Sequence, residues 1–161
     1  MQRITPCLWF DSNAEEAVNF YRSVFRDFKM GAVSRYGEAG KEIHGKPAGS
    51  VLTIEFELNG QRFTALNGGP LFKFNEAISF QVSCESQDEV DYYWEKLSEG
   101  GEPGQCGWLR DKYGVSWQIV PTILGELLRQ KNPKKSENVM KALLKMKKLD
   151  VGALKRAQEE G

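Results

Sequence analysis

The sequence is poor in the residues that build most metal and redox sites. It holds one histidine, His44, and three cysteines, Cys7, Cys84 and Cys106, no two of them close together. That spacing fits neither a zinc knuckle nor a disulfide scaffold, so free, buried thiols are expected. A lone histidine in a Gly-rich stretch is expected at the surface rather than on a metal. No apolar run approaches the roughly 18 residues of a membrane span. The N-terminus, "MQRITPCLWFD", enters a strand-like alternation directly, without a signal-peptide core and cleavage site. The expected location is therefore cytoplasmic, with no membrane partner.

Net charge is also missing, since 22 basic residues balance 22 acidic ones. The balance is uneven along the chain. Residues 129–156 carry ten Lys or Arg against Glu137 and Asp150, whereas residues 1–128 carry twelve basic and eighteen acidic residues. No aromatic residue interleaves with the tail lysines, so the stacking half of a single-strand site is absent and nucleic acid is a disfavoured partner. A solvated helix face lying on an acidic body accounts for the pattern.

What is present is an ordinary globular composition, 40% apolar and 27% charged over 161 residues, enough for one domain or two small repeated units. "RITPCLWFD" alternates, with Ile4, Pro6, Leu8 and Phe10 on one face and Thr5, Cys7 and Trp9 on the other. "SNAEEAVNFYRSVF" follows, with Ser12 and Glu15 at capping-box spacing and an apolar stripe at helical period. "GEAGKEIHGKPAG", residues 37–49, reads as a mobile loop. "SVLTIEFELNGQRFTALNGG" reads as a hairpin about Asn59-Gly60.

The order then repeats. "AISFQVS" alternates, "SQDEVDYYWEKL" is a second capped helix, "SEGGEPGQCGW" a loop and "LRDKYGVSWQIVP" a second hairpin. Phe10, Val18, Tyr21 and Phe25 map onto Val82, Val90, Tyr93 and Leu97 at an offset of 72, and the capping boxes are offset by 74. An internal repeat of this period implies a doubled α+β unit. In the last hairpin Trp117 and Ile119 take one face, Ser116 and Gln118 the other. After Pro121 the chain turns helical, and its Met-bearing stripe from Val139 to Met146 reads as packing surface.

"LNGGP", "FKFNEAISF", "WEKLSEGG", "GWLRDKYGVSWQIVP" and "VMKALLKMKKLDVGAL", in that order over nearly the whole chain, resemble the vicinal oxygen chelate superfamily. Within it they resemble the PhnB-like branch, often labelled 3-demethylubiquinone-9 3-methyltransferase-like. The resemblance implies an α+β fold: two βαβββ modules forming a cup-shaped mixed β-sheet with outer helices, plus a C-terminal helical tail. It implies one domain over residues 1–128, with module one about 1–70 and module two about 71–122, and a basic tail over 129–161. It also implies a homodimer.

The superfamily's metal enzymes place His or Glu near the start of each module's first strand and on each last strand. Those positions fall here on Thr5 and Ala77, and on Thr64 and Gln118. None is a usual divalent-ion ligand, so no metal and no cofactor are expected. The methyltransferase label finds no support either, because no Gly-rich turn opens a helix after a strand and no βαβ alternation is present.

The leading functional expectation is a metal-free pocket for a small molecule of unknown identity. It would be lined by Thr5, Cys7, Trp9, Thr64, Asn67, Ser79, Gln81, Trp108 and Gln118, with Phe72 and Phe74 closing it. An enzyme of the same superfamily, an isomerase, lyase or transferase, is the alternative. It would use Cys7 or Glu55, or a non-standard site built from carboxylates such as Glu55, Glu57 and Glu76. A third expectation is a dimeric interaction protein acting through the basic tail.

Overall fold

A computed structural model describes residues 3–160. The chain divides into two compact units, residues 1–74 and 75–161. Each contains one four-stranded mixed sheet with a helix on one face, so the fold is α+β with two βαβββ modules.

In the first unit β1 (Cys7–Phe10) leads into α1 (Ala14–Val24), then β2 (Phe28–Arg35), a short α2 (Lys41–His44), β3 (Val51–Leu58) and β4 (Gln61–Asn67). The sheet order is β1-β4-β3-β2, with β1 parallel to β4 and the other pairs antiparallel. Period-two alternation decides the faces. Leu8, Phe10, Ile54, Phe56, Leu58, Phe63 and Ala65 are buried, on the side where α1 sets its stripe of Ala14, Ala17, Val18, Tyr21 and Val24. The rings of Tyr21 and Phe56 stack there, 6.2 Å apart. The β3–β4 hairpin turns on Asn59 and Gly60, both at positive φ (49° and 80°), as a two-residue type I′ turn requires.

The second unit repeats the plan with β5 (Phe80–Cys84), α3 (Gln87–Ser98), β6 (Glu102–Pro103), β7 (Trp108–Arg110) and β8 (Ser116–Pro121). Its sheet order is β5-β8-β7-β6, again with only the first pair parallel. The β7–β8 turn is organised by Asp111, which is buried. Its Oδ1 accepts the Tyr113 and Val115 N–H groups, and its Oδ2 accepts the Trp117 indole N–H at 2.9 Å. Trp117 and Ile119 face the core as the alternation predicts.

Three local expectations change. Ser12 does not cap α1; Asn13 is the N-cap and makes no side-chain cap bond. The amide of Asn67, 53 residues on, accepts the Ala14 N–H at 2.9 Å instead. Residues 37–49 include the helical turn α2, and residues 99–107 include the two-residue strand β6. The repeat is also offset by 74 in the first strands of the two modules, not 72, and by 54 in the last strands. Phe10 O accepts Gly68 N–H as Cys84 O accepts Thr122 N–H, and Cys7 pairs with Thr64 as Gln81 pairs with Gln118. The counterpart of Thr5 in the second module is thus Ser79, not Ala77.

The chain closes with α4 (Ile123–Arg129), α5 (Pro133–Leu143) and α6 (Val151–Ala157). They share a cluster of Leu124, Leu127, Val139, Leu143, Leu149 and Leu154. Gln87 of α3 fastens this tail to the second unit, donating to Leu149 O at 3.0 Å and accepting the Val151 N–H at 2.8 Å. Of the Met-bearing stripe, Val139 and Leu143 are buried and Met146 packs against the cluster, whereas Met140 and Leu144 are exposed.

Candidate functional site

Each sheet has a second face, turned away from its helix, and the expected ligand residues fall mainly there. In the first unit the register lays out three cross-strand rows. Trp9, Leu66 and Thr53 form one; Cys7, Thr64 and Glu55 the next; Glu57 stands opposite Arg62 and Lys29 in the third. Cys7 and Glu55 are two strands apart on either side of Thr64, about 9–10 Å. An open groove of about 230 Å³ runs over this face, lined in part by Thr5, Lys29, Glu55, Glu57, Arg62 and Thr64. Sequence reasoning missed Lys29 and Arg62. The alternation of Arg62 with Thr64 carried a signal for one, but the pairing of Lys29 with Glu57 is set by β2, whose bulge after Met30 is not readable from composition.

Trp9 is fixed at the far end of the same face. Its indole N–H donates to Gly69 O at 2.8 Å, and Phe72 meets it edge-on with ring centroids 4.9 Å apart. Gly68 has no room for a side chain, since a Cβ there would lie 2.4 Å from the indole. Phe74 packs on Phe10 on the helix side.

Asn67 sits an odd number of residues from Thr64, so the two side chains take opposite faces of β4. The Asn67 side chain is buried on the helix side. Besides capping α1 it donates to Glu15 Oε1 at 3.2 Å and Val51 O at 3.1 Å.

In the second unit Ser79, Gln81 and Gln118 come together in a chain of hydrogen bonds. Gln118 Nε2 donates to Ser79 Oγ at 2.9 Å, and Gln81 Nε2 donates to Gln118 Oε1 at 3.4 Å. Trp108 stands directly across from Gln118 on β7. Beside them Ser116, Trp108, Leu109, Arg110, Glu76 and Glu102 line a smaller cavity of about 150 Å³.

The thiols differ in exposure. Cys7 is exposed, yet the burial it has pushes its thiol up from the usual value, which works against a thiolate nucleophile. Cys84 is buried and pushed up to about 12, by burial first and the Glu89 charge second. His44 serves its loop. Its Nδ1 accepts the Lys46 N–H at 2.9 Å, leaving Nε2 to donate to Ala39 O at 3.2 Å, and its ring lies 4.5 Å from that of Tyr36.

The metal positions implied by the resemblance are thus held by Thr5, Ser79, Thr64 and Gln118. These are neutral hydroxyls and an amide, none of them bringing a negative charge to an ion. The carboxylates Glu55 and Glu57 share their groove with Lys29 and Arg62, which oppose the charge of a divalent ion. This donor set does not fit a resident divalent cation.

The family described as 3-demethylubiquinone-9 3-methyltransferase matches residues 2–120, ending one residue before β8 does. No curated protein matches the chain. Among solved structures, a PhnB protein of Bacillus cereus described as a 3-demethylubiquinone-9 3-methyltransferase is 38% identical. The likeness covers 75% of this chain and all of that one, at a TM-score of 0.66. A protein of Pseudomonas aeruginosa is 19% identical over 75% of this chain and 98% of its own, at 0.60. The fosfomycin resistance protein FosX of Listeria monocytogenes is 17% identical over 80% and 98%, at 0.53; the last two bear on the fold alone.

Proposed function

The chain belongs to the 3-demethylubiquinone-9 3-methyltransferase (PhnB-like) family, and from that premise we propose that it binds a small molecule on the open strand faces, without a metal. The observation that carries this reading is the Ser79–Gln118–Gln81 hydrogen-bond chain. It is a set of donors and acceptors presented on a strand face, where helix packing has no use for them. Polar groups of that kind orient a ligand, and the Trp108 ring across from Gln118 supplies apolar area, as Trp9 does on the first sheet. Thr5, Cys7 and Thr64 take the corresponding role on the first sheet, and Asn67 acts indirectly by fixing the end of β4.

Methyl transfer is not part of the proposal. In neither sheet does a Gly-rich turn carry a strand into a helix, as a nucleotide-type methyl donor requires; β1 reaches α1 through Asp11, Ser12 and Asn13. Nor does a nucleophilic mechanism recommend itself while the Cys7 thiol is pushed up. We place the protein in the cytoplasm as a homodimer. The dimer is supported by edge strand β2, where Lys29 to Arg35 are all exposed, Met30 and Val33 among them. Among the described residues no helix is long and apolar enough to cross a membrane.

A thermal-shift screen of small metabolites, followed by titration of the hits into Thr64→Val and Gln118→Leu variants, tests the reading. Each variant should keep its own melting temperature within a few degrees and lose about five- to tenfold in affinity, the worth of one hydrogen bond. Hits that bind both variants as well as the parent would remove the open faces from the account.

A further inference from the structure

The open 150 Å³ cavity of the second unit is lined by a residue whose hydroxyl is unexplained. Ser116 is only 2% exposed, it lines the cavity, and its Oγ has no hydrogen-bond partner. A buried hydroxyl left alone is costly, and native structures rarely tolerate one without a ligand or water to complete it. The walls beside it are largely apolar: the half-buried Trp108, with Leu109 and Pro103. At the rim Arg110 is paired with Glu76 at 3.5 Å and with Glu102. Both carboxylates are about two-thirds exposed, so these pairs hold the guanidinium only weakly.

We infer that this cavity takes a single six-membered ring bearing one uncharged hydroxyl, a monocyclic phenol. Size points to the ring, because an open cleft of about 150 Å³ has the volume of a benzene-sized group. The orphan atom points to the hydroxyl, because Ser Oγ and a phenol O–H can each donate to or accept from the other. A charged head is disfavoured there. An ammonium or carboxylate would be buried against one neutral oxygen. A ring in this position lies against Trp108, with Gln118 across the strand pair. The inference deepens the open-face reading by naming a ligand class, and it rests on that reading only in treating this face as a binding surface.

The test uses the full chain with phenol, toluene and benzoate as probes. NMR titration at millimolar concentrations should show phenol shifting the Trp108 indole N–H and giving ring-to-Trp108 cross-peaks, with toluene about five- to tenfold weaker. In Ser116→Ala that preference should vanish while toluene binding persists. Three results would overturn the inference: phenol and toluene binding equally to the parent chain, benzoate binding more tightly than phenol, or cross-peaks away from Trp108. The parent-chain spectra decide the matter even if Ser116→Ala folds poorly. Failure here leaves metabolite binding through Thr64 and Gln118 to its own test.

Discussion

Asn67 shows how one side chain can set the frame of a site without facing it. Its amide completes the N-terminus of α1 and ties down Val51 O and Glu15, so β1, β3, β4 and α1 share one fixed corner. Replacing it by Ala leaves the Ala14 N–H and Val51 O buried without that partner. The expected loss is about 2–3 kcal/mol, a cap plus an unsatisfied group, read as a lowered urea midpoint. Ser12→Ala, by contrast, should cost less than about 0.5 kcal/mol. Equal losses would mean that the local capping box, not the distant amide, holds the helix. The sequence made the Ser12–Glu15 pair conspicuous because three-residue spacing is local information. The Asn67 cap depends on the β1–β4 register and has no local signature. At the second helix the local signal held: Ser86 Oγ accepts the Glu89 N–H, and Glu89 accepts the Glu85 N–H.

At the scale of elements, period-two alternation told which strand faces would be open, because a one-residue shift would turn every apolar side chain outward. It could not tell which charges would stand side by side. Glu57 between Arg62 and Lys29, and Arg110 between Ser116 and Glu102, are products of strand pairing. The C-terminal helices are likewise fastened by pairing across sequence. The Lys148 ammonium lies 2.8 Å from Asp91, and its hydrogen bond, then that of Gln87, holds the Asp91 carboxyl below its usual 3.8. Because the folded value is depressed, the contribution is present above 3.8 and fades as pH falls through the lower folded value. For a pair this exposed it is at most about 1 kcal/mol. Lys148→Met should therefore be less stable than the parent at pH 6 and indistinguishable from it at pH 2, in parallel urea titrations. A difference that persists at pH 2 would assign the effect to packing.

For the whole molecule, the repeat was legible to within two residues. That margin decides the donor set, since the first-strand offset of 74 puts Ser79, not Ala77, beside Gln118. The first module's Thr64 and the second's Gln118 then occupy matching places, and neither brings a charge. The basic tail lies beyond the part of the chain that matches the family. Its surplus of Lys and Arg is carried by helices whose apolar stripe is turned inward, so it adds a packed layer to the second unit. The account's central claim is that the open faces bind a small molecule through hydrogen bonds and apolar area, with no ion between. Its most direct measurement is the thermal shift produced by a screening hit on one protein sample, before and after chelator treatment and after adding back Mn²⁺ or Mg²⁺. The stabilisation should be the same in all three states, because a ligand that contacts only protein groups raises stability by its own occupancy. Stabilisation that disappears with chelator and returns with the ion would contradict the claim.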